Sequence, residues 1–156
     1  MGQSGQSGKV RVTLESMQDG SPHIHTYEGE WFRKELSVFV RYVEPAAENG
    51  PETGEVRTLV RYRPDELSIV RRGAVDSEQL FVPGLRRAGY YRSKAASFPL
   101  ETDTLLLQLR QPQGESADEL PATLPFTVEW QYDMHVGDQM SGRFHIRLHI
   151  QEEQQS

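Results

Sequence analysis

The sequence predicts an all-β protein, an antiparallel up-and-down closed β-barrel of roughly eight to ten strands. Two patterns predict this fold. Apolar side chains recur at every second residue along most of the chain, and turn sequences separate these alternating runs at short intervals. No amphipathic run is long enough for a helix of ordinary length. Because closure removes the exposed edges of a sheet, the barrel is favoured over a two-sheet sandwich.

Each strand is justified by an alternating run, since successive side chains of a strand point to opposite faces. The clearest run lies between Phe126 and Tyr132, where large apolar residues alternate with Thr, Glu and Gln. In chain order, the strands are expected at about 9–17, 23–32, 36–43, 55–63, 67–72, 78–82, 86–92, 100–110, 123–133 and 142–150. The clearest turn sequences between them are Asp19-Gly20-Ser21-Pro22, Pro64-Asp65-Glu66, Pro83-Gly84 and Gly137-Asp138.

The domain organisation follows from composition. Residues 9–150 are expected to form a single β-barrel domain, between a flexible tail at 1–8 and a flexible acidic tail at 151–156. Two stretches rich in Pro and Gly, Glu44–Gly54 and Gln111–Pro121, are interpreted as loops within that domain.

Composition also excludes several classes of protein. The chain contains no cysteine, which excludes disulfides, thiolate zinc sites and a cysteine nucleophile. No apolar run approaches the length of a membrane span, and no secretion leader is recognised. We therefore expect a cytoplasmic protein with no membrane association and no cofactor.

The most concentrated ionisable chemistry lies in the segment from Trp130 to Gln139, where an aromatic strand meets a Gly-Asp turn. On a strand, Asp133 and His135 share one face about 7 Å apart, and Ser141 lies nearby as a conceivable nucleophile of a hydrolytic triad. The simpler interpretation is that Asp133 and Asp138 accept backbone N–H bonds in a hairpin loop while Gly137 takes a positive φ. We favour the hairpin, and assign no catalytic residue.

Basic residues concentrate between residues 57 and 94, which contain nine Arg or Lys against four Asp or Glu, a local charge of +5. With Tyr62, Tyr90 and Tyr91 interleaved, this stretch could stack nucleic-acid bases or hold a small anion. Alternatively, its arginines are solvated or pair with acidic strands. The net charge of −6 argues against general affinity for nucleic acid.

Five motifs resemble the YwiB-like family of uncharacterised bacterial proteins, in order and spacing, from about residue 9 to residue 150. They are Val70–Val75, Gln79–Gly84, Tyr90–Tyr91, Leu100–Thr104 and Tyr132–Asp138. The resemblance implies a lipocalin-like (calycin) barrel and a bacterial cytoplasm. It implies no reaction, so no catalytic residue is carried over.

The leading functional hypothesis is a binding module for a small, anionic ligand, because barrels of about eight strands can enclose one small molecule. The expected ligand-binding residues are Arg61, Arg71, Gln79, Tyr91, Trp130, Tyr132 and His135.

Other hypotheses stay open. A structural or protein-interaction barrel without a pocket is the alternative, followed by an RNA-binding protein or a hydrolase. Self-association into a homodimer through the aromatic strand is a further expectation. Metal is not expected, because His23 with His25, and His145 with His149, each lack a third ligand, and Arg147 stands between the second pair.

Overall fold

The computed structural model describes residues 7–45, 54–111 and 124–153. These residues form ten antiparallel strands in one closed barrel, so the predicted fold class is confirmed. Each strand pairs with the next along the chain, and the last strand pairs with the first. The strands are β1 (Ser7–Gln18), β2 (Ser21–Lys34), β3 (Ser37–Glu44), β4 (Val56–Arg63), β5 (Glu66–Gly73), β6 (Val75–Phe81), β7 (Arg86–Ser93), β8 (Ser97–Arg110), β9 (Phe126–Val136) and β10 (Gln139–Glu152).

Strand pairing extends beyond the expected domain limits of 9 and 150. Residues 7–8 pair with β2, and residues 151–152 pair with β1, although both segments were predicted to be tails. Their backbone groups are satisfied by ladder hydrogen bonds, which need no apolar side chain and leave no alternating pattern. The rest of both predicted tails, and residues 46–53 and 112–121 of the two predicted loops, lie outside the described residues.

Closure divides the side chains into an inner and an outer set, and the inner set forms the core. The buried inward residues concentrate at the end of the barrel that carries the β2–β3, β4–β5 and β6–β7 turns, which we call the packed end. They include Val10, Val12, Trp31, Val38, Val60, Leu67, Phe81, Phe126, Trp130 and Ile150. Large side chains from all sides of the barrel thus meet there and fill its interior.

Inward side chains at the opposite end differ in exposure, and Val56 and Val75 there are buried, at 6% and 7%. This end, which carries the β1–β2, β5–β6, β7–β8 and β9–β10 turns, we call the open end. Leu14, Tyr27 and Ile146 are half-buried there, and His25 is exposed, although each points inward by its register. The barrel therefore has a filled floor, and its opposite end, the mouth, contacts solvent through inward side chains of β1, β2 and β10 among the described residues.

Two inward glycines let neighbouring strands approach closely. A Cβ at Gly29 would lie 2.4 Å from the carbonyl oxygen of Arg41 and 3.0 Å from the Cβ of Tyr42. At Gly89 it would lie 2.2 Å from the carbonyl oxygen of Glu78. Neither position can accept a side chain without moving backbone atoms.

The outer face carries apolar groups as well, which explains why several strands are apolar on both sides. Phe32 and Phe39 stack there with ring centroids 4.8 Å apart, and Leu59 is 37% exposed. Within the described part of the chain, no helix is long and apolar enough to cross a membrane.

Gly29→Ala tests the close approach of β2 and β3. The added methyl group would force the two strands apart, so the free energy of unfolding should fall by about 1–3 kcal/mol. The measurement is urea denaturation followed by tryptophan fluorescence. Gly8→Ala is the matched control, because a Cβ at Gly8 meets nothing nearer than Trp31 Nε1 at 3.9 Å. Equal stability of the two variants would contradict the account.

Candidate functional site

Six consecutive strands, β3 to β8, place one inward residue each in a single cross-strand row near the open end. We call this set the inner row: Tyr42, Thr58, Arg71, Ser77, Tyr91 and Phe98. Four of its members carry hydroxyl groups, and Arg71 carries the charge. Directly opposed residues in neighbouring strands lie about 4.5–5.5 Å apart, so the row is a continuous polar band on the barrel wall.

Arg71 forms a two-pronged ion pair with Glu44, the last residue of β3. Its Nη2 donates to Glu44 Oε1 at 2.8 Å, and its Nε donates to Oε2 at 3.2 Å. The Thr58 hydroxyl also donates to Oε2, at 2.8 Å. The side chains of Arg71 and Glu44 are 28% and 22% exposed. The pair is therefore partly desolvated, electrically neutral as a unit, and still reachable from water.

Two stacked tyrosines lie beside this pair. The rings of Tyr27 and Tyr42 are 4.9 Å apart and nearly parallel. Burial raises the pKa of both phenols, and the nearby Glu44 carboxylate raises each pKa further, while Arg71 acts in the opposite direction. Both hydroxyl groups therefore remain protonated at neutral pH and available as hydrogen-bond donors.

Gln79 of β6 and Tyr132 of β9 form a side-chain hydrogen bond below the inner row. Gln79 lies opposite Ile69 of β5, one inward step deeper than Arg71. Burial raises the pKa of Tyr132 to about 12, although its hydrogen bond with Gln79 acts in the opposite direction. Tyr132 also packs against the Phe81 ring at 4.7 Å and the Phe144 ring at 5.1 Å. Tyr132 thus lies between the polar inner row, on the side of Gln79, and the apolar rings of the floor.

Five of the seven predicted ligand-binding residues face the interior. Arg71 and Tyr91 belong to the inner row, and Gln79 and Tyr132 lie just beneath it. Trp130 lies deeper, in the packed floor, where it is 1% exposed and its Nε1 has no hydrogen-bond partner among the described residues. The structure thus brings four predicted residues together and places the fifth in the core below them.

The two remaining predicted residues, Arg61 and His135, lie on the outer face. Arg61 faces Glu66, with Nη2 3.8 Å from a carboxylate oxygen. His135 Nε2 lies 3.3 Å from Arg86 Nη2. Neither residue can contact a molecule inside the barrel, because the parity of its strand directs the side chain outward.

Several residues of the site were absent from the sequence-based set, namely Tyr27, Tyr42, Glu44, Thr58 and Ser77. Glu44 was assigned to a loop because of the Pro and Gly that follow it. Extending the inward alternation Val38, Val40, Tyr42 by one step would have placed Glu44 inside the barrel.

The hairpin predicted at Gly137 is confirmed, and its positive φ of 65° is observed. The expected role of Asp133 is wrong, however. Asp133 lies inside β9 and accepts hydrogen bonds from Arg143 Nε at 2.7 Å and Nη2 at 3.0 Å, not from turn N–H groups. Among the described residues, Asp133 accepts no hydrogen bond from His135. Ser141 is exposed at an irregularity of β10, so the hydrolytic triad is not assembled.

The outer face holds a second buried carboxylate, Glu129, whose side chain is 4% exposed. Arg110, Arg147 and His145 surround it, with Arg110 Nη2 at 2.9 Å and Arg147 Nε at 3.2 Å. Burial acts to raise the pKa of Glu129, yet the hydrogen bonds from His145 and Arg147 leave that pKa below its ordinary value. This cluster joins β8, β9 and β10 and has no free acceptor side facing solvent.

The other histidine of that strand, His149, contacts Glu15 and Thr127 on the same outer face. Within residues 7–45, 54–111 and 124–153, no three His, Asp or Glu side chains gather as ligands for a metal ion. The described carboxylates beside these histidines, Glu129 and Glu15, are their hydrogen-bond partners within the sheet.

The three tyrosines of the basic stretch do not share one face of the sheet. Tyr62 and Tyr91 point into the barrel and Tyr90 points outward, so the three rings cannot stack bases together. Arg72 pairs with Glu78 at 2.5 Å, and Arg86 lies 3.7 Å from Glu101 and 3.8 Å from Asp103. The alternative in which these arginines pair with acidic neighbours therefore describes much of the stretch.

A shallow groove of about 620 Å³ crosses the outside of β2 to β5. We call it the outer groove. Its centre is apolar, and basic residues flank the centre; the lining includes Lys9, Arg41, Val43, Arg57, Leu59, Val70 and Arg72, together with Glu28, Glu30 and Glu153. The same lining also includes Tyr42 and Thr58 of the inner row, whose strands β3 and β4 form this part of the barrel wall.

Comparison with known proteins identifies relatives by sequence and by fold. The family described as "Domain of unknown function (DUF1934)" matches residues 9–148. The chain is 28% identical over 125 residues to the uncharacterized β-barrel protein YwiB of Bacillus subtilis (strain 168), covering 78% of this chain and 76% of that protein. The crystal structure of the ywiB protein from Bacillus subtilis superposes with a TM-score of 0.68 at 21% identity, covering 96% of this chain and 94% of the other.

Asp133→Asn tests the ion pair that braces the β9–β10 hairpin. The hydrogen bonds from the Arg143 guanidinium hold the pKa of Asp133 below its usual range. A carboxyl group with a lowered folded-state pKa contributes stability above its unfolded-state pKa, and that contribution is lost as the pH falls through the folded-state pKa. The variant should therefore be less stable than the wild type at pH 7, and the difference should shrink as the pH falls below about 4.

The measurement is urea denaturation at several pH values between 7 and 2.5. Asp138→Asn, in the exposed turn, is the control and should show no such convergence with the wild type. A difference between Asp133→Asn and the wild type that stays constant down to pH 2.5 would rule out the assigned role.

Proposed function

This chain belongs to the DUF1934 family, as its YwiB-like motifs predicted, and we propose a function for it from its own side chains. We propose that it is a binding module for a small molecule with an acidic group. The ligand would enter at the open end and rest against the inner row. The proposal includes lipocalin-like (calycin) binding inside a barrel, in a bacterial cytoplasm. The Bacillus subtilis relative supports a bacterial source.

The position of Arg71 is the observation that carries the proposal. A guanidinium on the inner wall of a barrel, partly exposed and flanked by hydroxyl groups, presents a planar fork that matches a carboxylate or phosphate. A charge in this position costs desolvation free energy, and a barrel with only a structural role could replace it with an apolar residue. Binding a ligand is a reason to retain it.

The apolar residues around the mouth suit the rest of such a ligand. Leu14, Ile69 and Ile146 are half-buried against the core and face the interior above the floor. A site with a few polar groups on an otherwise apolar wall is typical of small-molecule pockets. The preferred ligand would therefore have an apolar or aromatic body of modest size attached to its acidic group.

A second candidate function is a protein-interaction barrel, which the outer groove favours. Leu59 and Val43 are 37% and 43% exposed at its centre, between basic side chains. A partner segment with apolar and acidic residues, including one from a second copy of this chain, would fit that pattern. Native mass spectrometry of the protein isolated from its own cells should then reveal a stoichiometric partner that the Leu59→Asp variant does not retain.

Arg71→Met tests the leading proposal directly. Aromatic and aliphatic carboxylates, phosphomonoesters and α-amino acids are added to the wild type in a thermal-shift assay, and compounds that shift the transition are titrated by calorimetry. Removing the guanidinium should weaken binding at least about tenfold, the usual effect of losing hydrogen bonds to a charged group. Arg71→Lys, which keeps the charge without the fork, should retain the fold and still bind less tightly.

Arg57→Met is the matched control, since Arg57 is an exposed arginine on the outer face of β4. It should bind as the wild type does. The proposal fails if no compound in the panel gives a saturable shift of the wild type. It also fails if every compound shifts Arg71→Met and Arg71→Lys as much as it shifts the wild type.

A further inference from the structure

The charge balance of the inner row restricts which ligand can bind there. Arg71 already has its preferred partner, because both prongs of its fork contact Glu44. The remaining members of the inner row are uncharged at neutral pH. A ligand that carries only a negative charge must therefore displace Glu44 from Arg71 and leave that carboxylate next to the ligand's own charge.

Displacement of this kind is costly because Glu44 is partly buried. Its side chain is 22% exposed, and the Thr58 hydroxyl beneath it is buried. An unpaired carboxylate in such a position loses the charge that compensates its desolvation. The same argument applies in reverse to a ligand with only a positive charge, which would pair with Glu44 and leave Arg71 without a partner.

A ligand with both charges avoids the penalty. If its carboxylate takes the fork of Arg71 and its cationic group pairs with Glu44, each buried charge keeps a partner of opposite sign. The two charges of the ion pair are adjacent, with contacts of 2.8 Å and 3.2 Å. The ligand's own charges must therefore also be close together, as they are when an ammonium and a carboxylate share one carbon atom.

The stacked rings beside Glu44 suit a cationic group as well. Tyr27 and Tyr42 lie next to the carboxylate, and both feel its charge. Aromatic faces attract ammonium groups, by a larger amount when the site is partly desolvated. A second stacked pair, Tyr91 with Phe98, lies on the other side of Arg71 with ring centroids 5.3 Å apart. Along the row, Ser77 separates this second pair from Arg71.

Resting on the proposed function, we infer that the barrel selects a zwitterion of the α-amino-acid type with an apolar or aromatic side chain. Its carboxylate binds Arg71 and its ammonium group binds Glu44, so the ligand inserts into the existing ion pair. Its side chain contacts the half-buried apolar residues of the open end.

Three probes with the same aromatic body separate the contributions of the two charges: L-phenylalanine, 3-phenylpropanoate without the ammonium group, and 2-phenylethylamine without the carboxylate. Calorimetric titration of the full chain should show that L-phenylalanine binds at least about tenfold more tightly than either of the others. In Glu44→Gln the preference for L-phenylalanine over 3-phenylpropanoate should disappear, because the ammonium group loses its partner.

Glu78→Gln is the matched control, because Glu78 belongs to the outward Arg72–Glu78 pair and should leave the preference unchanged. The inference is overturned if 3-phenylpropanoate binds the wild type as tightly as L-phenylalanine, a result that would leave the proposed function standing. It is also overturned if none of the three probes binds while other acidic compounds do. Absence of binding by every compound of the wider panel would instead remove the proposed function itself.

Discussion

Closure of the sheet is the constraint on which the rest of the structure depends. Because β1 pairs with β10, no strand is left at an edge, and every side chain of a strand points either into the barrel or away from it. That division turns a repeat of two residues into a three-dimensional arrangement. It gathers large apolar groups at the packed end, and it aligns one residue from each of six strands in the inner row.

The interior is divided because its two halves satisfy different requirements. Phe81 and Trp130 fill the packed end, where burial of apolar area supplies most of the stability. Nearer the open end, the barrel contains the Arg71–Glu44 ion pair, whose carboxylate also accepts a hydrogen bond from the Thr58 hydroxyl. Such a pair contributes little net stability when compared with an apolar replacement. Its presence at the open end is what the proposed ligand-binding function would explain. On the outer face, by contrast, Arg110 and Arg147 pair with Glu129 and link the neighbouring strands β8, β9 and β10.

Alternation in the sequence predicted the ten strands, because half-buried strands must place apolar residues at every second position. The sequence-based set of expected ligand-binding residues also included Arg71, Gln79, Tyr91 and Tyr132, which face the interior. It did not separate these residues from Arg61, because a sequence pattern does not state which face of a mixed strand is inward. The parity of a strand can also change along its length. In β8 the pairing shifts between Thr104 and Leu106, so inward positions on the two sides of the irregularity differ in parity.

Pairing between distant residues was beyond sequence reasoning altogether. Glu44 and Arg71 are 27 positions apart in the sequence. They meet because β3 and β5 both pair with β4 and both side chains point into the barrel. Asp133 was assigned to a turn because it lies close to Gly137-Asp138 in the sequence. Its partner, Arg143, lies on the strand after that turn. Charge counts along the chain could not reveal either contact. They described the 57–94 stretch as basic, although Arg72 and Arg86 have acidic partners close by in the folded chain.

On the proposed function, the Arg71–Glu44 pair at the mouth of the barrel is the point of ligand contact. Nuclear magnetic resonance of the arginine side chains, labelled with ¹⁵N, tests it most directly. In the free protein the Arg71 Nε–H signal should exchange more slowly with water than that of Arg57, because this group donates to Glu44. Addition of L-phenylalanine should move the Arg71 signal and leave the Arg57 signal in place. A shift of Arg57 with Arg71 unchanged would place binding in the outer groove and contradict the account.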